Sequence, residues 1–298
     1  MTAATTTAAT PAVRKPNKKA KGVEEQGKHR WLSTVGIIVI VLYCLAPFYW
    51  MVASALRQPN DQADNSFFPS PMSLENFKAV FGPGVGFGRN LLNSVVVAGV
   101  TTLLTLIFGT FAAYTLARLN FRFKNLVAGI IIGTAMFPSV SIVVPLLKLF
   151  TNIDWINTYQ AMILPSLSFA LPLAVWTLAT FFRQMPKELE EAAMVDGLTR
   201  GQAFRKVIIP LAAPGMFTTA IITFIAAWNE FIFALSMVNE KSMKTATVAI
   251  SQFTGISGFD SPFGTKMAAG VVVTVPLVIV VLIFQRRIIA GLTAGGVK

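Results

Sequence analysis

The sequence predicts an all-α integral membrane protein that crosses the bilayer six times. Of its 298 residues, 54% are hydrophobic and only 13% are charged, which is typical of membrane proteins. Six apolar runs are each long enough for the roughly 20 helical residues that a hydrocarbon core requires. Because backbone polar groups must be satisfied internally in lipid, we expect helices. The predicted spans cover residues 33–56, 91–117, 126–150, 160–182, 215–238 and 267–289.

The chain is predicted to consist of a tail and one transmembrane domain. Residues 1–32 are rich in Thr, Ala, Lys and Pro without apolar periodicity, which predicts a disordered tail. A cleaved signal peptide is the alternative, and the long polar lead argues against it. Residues 33–298 form the predicted transmembrane domain, with a polar loop at about residues 183–210 between the fourth and fifth spans. Prolines inside spans predict kinks at Pro145, Pro165, Pro172 and Pro276.

Basic residues indicate the orientation of the chain. The net charge is +12, and 18 of the 25 Lys and Arg residues lie on the side that carries both termini and the polar loop. The positive-inside rule therefore predicts that these parts are cytoplasmic. Because the basic residues do not gather in one folded polar domain, we expect membrane lipid but no nucleic acid as a partner.

The sequence offers little for catalysis. It has one cysteine, Cys44, and one histidine, His29, so an intramolecular disulfide is excluded, and a metal site or histidine-based triad is not expected. The phosphate-binding pattern G-x-x-x-x-G-K-[ST] is absent, and the nearest match, at residues 258–266, has wrong spacing and order. We therefore expect this chain to bind no cofactor and not to be an enzyme.

The polar loop is predicted to begin with a short helix. Pro186 suits a first helical turn, Gly197 is a natural helix stop, and acidic residues favour the positive helix N-terminus. Those acidic residues are Glu188, Glu190 and Glu191. Leu189, Ala192 and Ala193 have the spacing of one apolar face. The small side chains of the two alanines would let a soluble partner approach closely.

A second short helix is predicted to follow the glycine turn. Thr199 and Gln202 have the spacing of a capping box, and Pro210 is expected to end this helix. The alternative for the whole loop is an amphipathic helix on the lipid headgroups. Both helix caps and the glycine turn favour a defined shape that grips a partner.

The outer loops have patterns of their own. Ser73 and Glu75 predict the start of a short surface helix. Residues 239–266 contain three glycines and three phenylalanines, which predicts a flexible loop that either contacts a partner or dips into the membrane interface. The Gly129-x-x-x-Gly133 spacing predicts a helix-packing notch in the third span.

From about residue 90 onward, the chain resembles MalG-type permease subunits of carbohydrate-importing ABC transporters. The similarity lies in EEAAMVDG at 190–197, AFRKVIIP at 203–210, AWNEF at 227–231 and GLTAGGVK at 291–298. FPSVS at 137–141, LSFALPLA at 167–174 and QRRI at 285–288 look most similar to the actinobacterial trehalose importers. One departure is Ile209, where the family often has leucine.

The resemblance implies a type I ABC importer permease in the inner membrane, importing an α-linked disaccharide, trehalose first and maltose second. It implies a heterodimer with a homologous permease, two ATP-binding subunits that bind ATP and Mg, and an extracytoplasmic sugar-binding protein or lipoprotein. The implied ATPase contacts in the polar loop are Glu190, Glu191, Ala192, Ala193, Asp196, Gly197, Phe204, Arg205 and Pro210. The implied C-terminal contacts are Gly295, Gly296 and Lys298.

Polar residues near the middle of the predicted fifth span are candidates for the sugar path. Asn229 and Glu230 could donate or accept hydrogen bonds, Trp228 could stack on a sugar ring, and Asn93 is a weaker candidate. An acid at the centre of a span costs about 2.5–3.5 kcal/mol, so it usually faces a cavity or a partner. Glu230 could instead anchor its span to another helix, and both interpretations stay open.

Three other functions remain as alternatives. An ABC importer permease for another solute would share the polar loop. An ion-coupled secondary transporter should show inverted repeats or several intramembrane ionisable residues, and the sequence has one convincing acid, Glu230. A membrane-anchored structural protein would not need a capped helical loop.

Overall fold

The structure, a computed structural model, describes residues 19–61, 66–82, 85–253 and 262–294. For residues 19–30, 60 and 286–294 it describes the backbone alone. Every regular element within these ranges is helical, which confirms the all-α class. Among the described residues, five helices are long and apolar enough to cross a membrane, or six if one sharply bent pair is counted as a single span.

The chain divides into two units, residues 1–50 and 51–298. Helix α1, Lys19–Ala55, makes up the described part of the first unit and runs into the second. Its backbone is helical over residues 19–32, where the sequence predicts disorder. The candidate span within α1 begins at Trp31, close to the predicted limit. The boundary between a tail and a transmembrane domain stays a prediction.

Three long helices form the centre of the second unit: α3 (Phe87–Arg118), α6 (Tyr159–Gln184) and α9 (Ile209–Trp228). They pack against one another, and α12, Phe263–Ala294, packs against α9. At Gly215 of α9, an added Cβ would lie 2.5 Å from the ring of Phe181, so glycine permits this close approach to α6. Pro165 and Pro172 lie inside α6, and Pro276 lies inside α12.

The predicted third span is broken. Helices α4, Lys124–Ala135, and α5, Ser139–Asn152, meet at an angle of 90°. The break lies between these helices, at Phe137 and Pro138. Proline disfavours a helical conformation in the residue before it, and Pro138 itself has an extended backbone. The bend is therefore not at Pro145, which lies within α5. A Cβ added at either glycine of the predicted packing notch would meet no described atom within 4 Å.

The fifth span is shifted from its predicted position. Short helices α7, Glu188–Val195, and α8, Arg200–Ala203, precede a π-helical turn, Phe204–Ile208, that leads directly into α9. The prediction that Pro210 ends a helix is wrong, because this proline lies in the first turn of α9. At that position, directly after the π-helical turn, the missing N–H of proline removes no hydrogen bond from the helix. The candidate span is Arg200–Trp228.

The two loops predicted to lie outside the membrane contain short helices. Helix α2, Glu75–Val80, is the short helix that the sequence predicts there, and Ser73 Oγ accepts a hydrogen bond from the Glu75 N–H. After α10, Ile232–Met237, the chain forms a 3₁₀ turn, Lys241–Met243, and α11, Ala246–Ser251. Residues 239–253 therefore contain regular structure that the sequence does not predict, and residues 254–261 lie outside the described part.

Candidate functional site: the polar loop and the ends of the spans

The first helix of the polar loop ends as the sequence predicts. Gly197 adopts a left-handed backbone with φ of 87°. Its N–H donates to the Met194 carbonyl at 3.1 Å, and the Leu198 N–H donates to the Ala193 carbonyl at 3.1 Å. This pair of bonds is a Schellman motif, which satisfies two carbonyls at the end of α7 and turns the chain sharply.

The second helix has the predicted capping box. The Gln202 N–H donates to Thr199 Oγ1 at 3.4 Å, and the Thr199 N–H donates to Gln202 Oε1 at 2.8 Å. Both bonds satisfy amides that would otherwise lack partners at a helix start. The polar loop is therefore a defined unit of helix, glycine turn and helix.

Helix α7 has two different faces. Glu190 and Ala193 are buried, with 7% and 6% of their surface exposed. The outward face is made of Leu189, Glu191, Ala192, Val195 and Asp196, and Val195 is 87% exposed. The predicted single apolar face is wrong, because the chain rotates by about 100° per residue and Ala193 points inward while Ala192 points out.

Glu190 is bound within the chain. Its Oε1 accepts a hydrogen bond from the Tyr114 hydroxyl at 2.5 Å. Arg118 Nε lies 3.9 Å from Oε2, and Arg200 Nε lies 3.8 Å from Oε1. This geometry differs from the predicted role of Glu190 as a surface contact, since the carboxylate faces α3.

Aromatic packing holds the second half of the polar loop against the same helix. The ring of Phe204, in the π-helical turn, lies 4.3 Å from the ring of Tyr114. Phe182, at the end of α6, meets Tyr114 edge-on at 6.0 Å. Phe204 is buried, whereas Arg205 and Pro210 are exposed. Of these three predicted contact residues, Arg205 and Pro210 are the accessible ones.

Sequence reasoning missed Tyr114 and Arg118. Arg118 Nη2 donates to the Met185 carbonyl at 3.0 Å, which secures the start of the polar loop to the end of α3. The position of Arg118 at the end of a predicted span was the only available signal, and Tyr114 gave none, because its partners lie far along the sequence.

The three residues of the fifth span that are candidates for a sugar path differ in burial and in hydrogen bonding. Trp228 is buried, and its indole N–H has no acceptor among the described residues. Asn229 is exposed, with its amide nitrogen bonded to the Ile225 carbonyl at 2.9 Å. The Glu230 carboxylate accepts bonds from the N–H groups of Phe233 at 2.7 Å and Ala234 at 3.1 Å, at the start of α10. Trp228 ends the candidate span, and Asn229 and Glu230 directly follow it, whereas the sequence predicts all three near the middle of a span.

Asn93 serves as an anchor for the chain segment after α10. It is 1% exposed, and its amide nitrogen donates to the carbonyls of Ser242 at 2.9 Å and Lys244 at 3.0 Å. Its amide oxygen accepts a bond from the Tyr159 hydroxyl at 2.8 Å. One turn earlier, Asn90 donates to the carbonyls of Lys241 and Lys244. With its amide so occupied, Asn93 is a poor candidate for binding sugar in this conformation.

Among the described residues, no group of three or more His, Cys, Asp or Glu side chains could hold a metal ion. Gly295, Gly296 and Lys298 lie outside the described residues.

The chain thus combines several long apolar helices with a capped helical loop that leads into one of them. Residues 105–293 match the model of the family described as "Binding-protein-dependent transport system inner membrane component". The chain belongs to this family, which is located in the inner membrane.

Similar proteins narrow the class to sugar permeases. The chain is 45% identical, over 87% of its length and 94% of the relative's, to the "Trehalose transport system permease protein SugB" of Mycobacterium tuberculosis (strain CDC 1551 / Oshkosh). It is 39% identical, over 93% of its length and 99% of the relative's, to the "Trehalose/maltose transport system permease protein MalG" of Thermococcus litoralis. The chain is thus a sugar permease subunit of the MalG and SugB type, and the predicted resemblance is confirmed.

Solved structures support the fold. A bacterial ABC transporter "involved in the import of the acidic polysaccharide alginate" has a chain that matches with a TM-score of 0.73 and 18% identity, covering 93% of this chain and 99% of that one. The match confirms the type I ABC importer permease fold.

Proposed function

We propose that this chain forms half of the translocation path for an α-linked disaccharide, with trehalose the first choice and maltose the second. The two relatives described above carry these sugars in their names, and one of them is 45% identical to this chain. The path would lie between this chain and a homologous permease in a heterodimer. An extracytoplasmic sugar-binding protein or lipoprotein would deliver the sugar.

The outward face of α7 is the observation that carries the coupling function. Glu191, Ala192 and Val195 are exposed on a helix whose other face is fixed to the spans. Small and apolar side chains in that position suit a groove of a separate ATPase, because they allow close backbone approach and lose contact with water on docking. Two such ATPase subunits would bind ATP and Mg, and their closure would move the polar loop.

The orientation follows the same proposal. The polar loop and both termini would be cytoplasmic, as the excess of basic residues on that side favours. Gly295, Gly296 and Lys298 would reach the ATPase pair. Among the path candidates, Asn229 is the one with an exposed side chain, whereas Asn93, Trp228 and Glu230 would shape the path indirectly.

The test is reconstitution of the complex in proteoliposomes with its partner subunits. Glu191→Lys should reduce co-purification of the ATPase subunit and abolish sugar-stimulated ATP hydrolysis, because it reverses a charge on the docking face. Glu75→Lys makes the same change on an exposed residue of α2 and should leave ATPase co-purification unchanged. Normal ATPase binding by Glu191→Lys would refute docking through this face.

The choice of sugar is tested on the same preparation. Uptake of labelled trehalose should exceed that of maltose, and unlabelled trehalose should compete best. If the proteoliposomes import another sugar but neither disaccharide, the proposed substrate is refuted, whereas the proposed coupling function is not.

A further inference from the structure

We propose that Tyr114 and Glu190 form the joint through which motion of the polar loop reaches α3, so that Glu190 is a positioning residue and Glu191 a docking residue. This inference rests on the proposed coupling of the polar loop to an ATPase. It concerns the inner face of the loop, which an ATPase on the outward face would not touch.

One side chain holds both halves of the polar loop. Tyr114 is 8% exposed, and its hydroxyl donates to Glu190 in α7 while its ring packs against Phe204 in the π-helical turn. The Schellman turn at Gly197 lies between these two contacts. Displacement of either half would therefore have to move Tyr114 or break its contacts.

Charge reinforces this joint. The buried Glu190 carboxylate lies between Arg118, which belongs to α3, and Arg200, which begins α8. The Arg118 side chain is 5% exposed and also holds the Met185 carbonyl at the start of the loop. The Tyr114 hydroxyl donates a hydrogen bond to this carboxylate, and both guanidinium groups lie at ion-pair distance from it. A buried carboxylate needs such partners, because an unpaired charge in a low-dielectric environment is strongly unfavourable.

The neighbouring glutamates have different tasks because they lie about 100° apart around the helix. Glu190 is 7% exposed, and Glu191 is exposed. A partner that seats on Glu191 would push on α7 as a whole. The push would reach the spans through Glu190, since packed and hydrogen-bonded groups carry displacement between elements.

Helix α3 is suited to receive this motion. It packs along α6 and α9. At its other end, Asn90 and Asn93 bind backbone carbonyls within residues 241–244. A shift of α3 would therefore act at both ends of the unit.

The experiment separates the joint from docking. Tyr114→Phe, Glu190→Gln and the double variant are assembled with the partner subunits, and three quantities are measured: ATPase co-purification, the ATPase rate, and sugar imported per ATP hydrolysed. We expect co-purification within twofold of the unmodified complex. Sugar imported per ATP should fall at least fivefold in each single variant. The double variant should be no worse than the more severe single variant, because both changes act on one charge-assisted hydrogen bond: Tyr114→Phe removes its donor, and Glu190→Gln removes the charge of its acceptor.

Matched variants make the result specific. Thr115 follows Tyr114 in α3, and its hydroxyl donates to the Phe111 carbonyl of the same helix. Thr115→Val removes this hydroxyl and should leave sugar imported per ATP unchanged. Glu191→Gln should lower ATPase co-purification instead. Glu190→Ala should be more severe than Glu190→Gln, because glutamine keeps an acceptor for the Tyr114 hydroxyl.

Two outcomes would overturn the inference. If Tyr114→Phe and Glu190→Gln reduce the yield of folded subunit while sugar imported per ATP stays normal, the contacts are only structural. If effects on sugar imported per ATP add fully in the double variant, the two residues do not act as one joint. Failure of the proposed function would look different, because the unmodified chain itself would then neither bind the ATPase nor stimulate it.

Discussion

The left-handed backbone of Gly197 provides a graded test of the shape of the polar loop. A Cβ added there would meet no described atom within 4 Å, so a substitution acts through backbone conformation and not through a clash. For most L-residues the left-handed region costs about 1–2 kcal/mol, whereas asparagine tolerates it better and β-branched residues tolerate it less well. We therefore expect destabilisation of the turn to increase in the order Gly197→Asn, Gly197→Ala, Gly197→Val.

The magnitude can be measured as local opening. A cost of about 1–2 kcal/mol corresponds to a change of about 5–30-fold in an equilibrium. The amides of Gly197 and Leu198, which close the Schellman motif, should exchange with deuterium about 5–30 times faster in Gly197→Ala. Sugar-stimulated ATPase activity in the reconstituted complex should fall in the same order as the amides lose protection.

A neighbouring glycine provides the control. Gly201 is helical and also has open space around its Cβ position, so Gly201→Ala should leave exchange at the turn unchanged or slow it slightly, since alanine favours helix by about 1 kcal/mol. If Gly197→Ala and Gly197→Asn show the same exchange rates and ATPase activity as the unmodified chain, the left-handed turn does not determine the shape of the loop.

Three further perturbations test other contacts. Gly215→Ala should cost up to about 2 kcal/mol net, because overpacking costs about 1–3 and the helix gains about 1, and should lower the melting temperature of the purified subunit by up to about 8 °C, whereas Gly99→Ala, with open space around it, should not. Asn93→Ala removes three buried hydrogen bonds, a loss of about 2–4 kcal/mol, and should speed trypsin cleavage within residues 241–244; unchanged cleavage would refute the anchor. Glu230→Gln weakens the cap on α10 and should reduce the yield of complex with uptake per complex nearly intact; the reverse pattern would place Glu230 in the sugar path.

Local signals in the sequence predicted the polar loop well. The glycine stop at Gly197 and the capping box of Thr199 and Gln202 depend on residues within five positions of one another, and both are present. Which face of α7 points inward could not be predicted, because the partner of Glu190 is Tyr114, 76 positions away. The pattern of apolar residues predicts that Ala192 and Ala193 share one face of α7. In the structure, Ala193 lies on the inner face with the buried Glu190, and Ala192 is exposed.

Span limits were predicted less well because hydropathy does not register breaks in a helix. An apolar window over residues 126–150 reads as continuous, although the chain turns by 90° near Pro138. In the fifth span, the widened turn before Pro210 lets the helix run on from the loop. The candidate span therefore begins and ends earlier than predicted, and Glu230 lies just after the end of α9.

Three asparagines hold the segment after α10 by its main chain. Asn90 and Asn93 bind the carbonyls of residues 241–244, and Asn157 Oδ1 accepts bonds from the N–H groups of Asn239 and Glu240. The side chains of the held segment take no part in these bonds. Outward side chains of this segment can therefore be exchanged without breaking any of these bonds, so its surface chemistry can vary independently of its backbone shape.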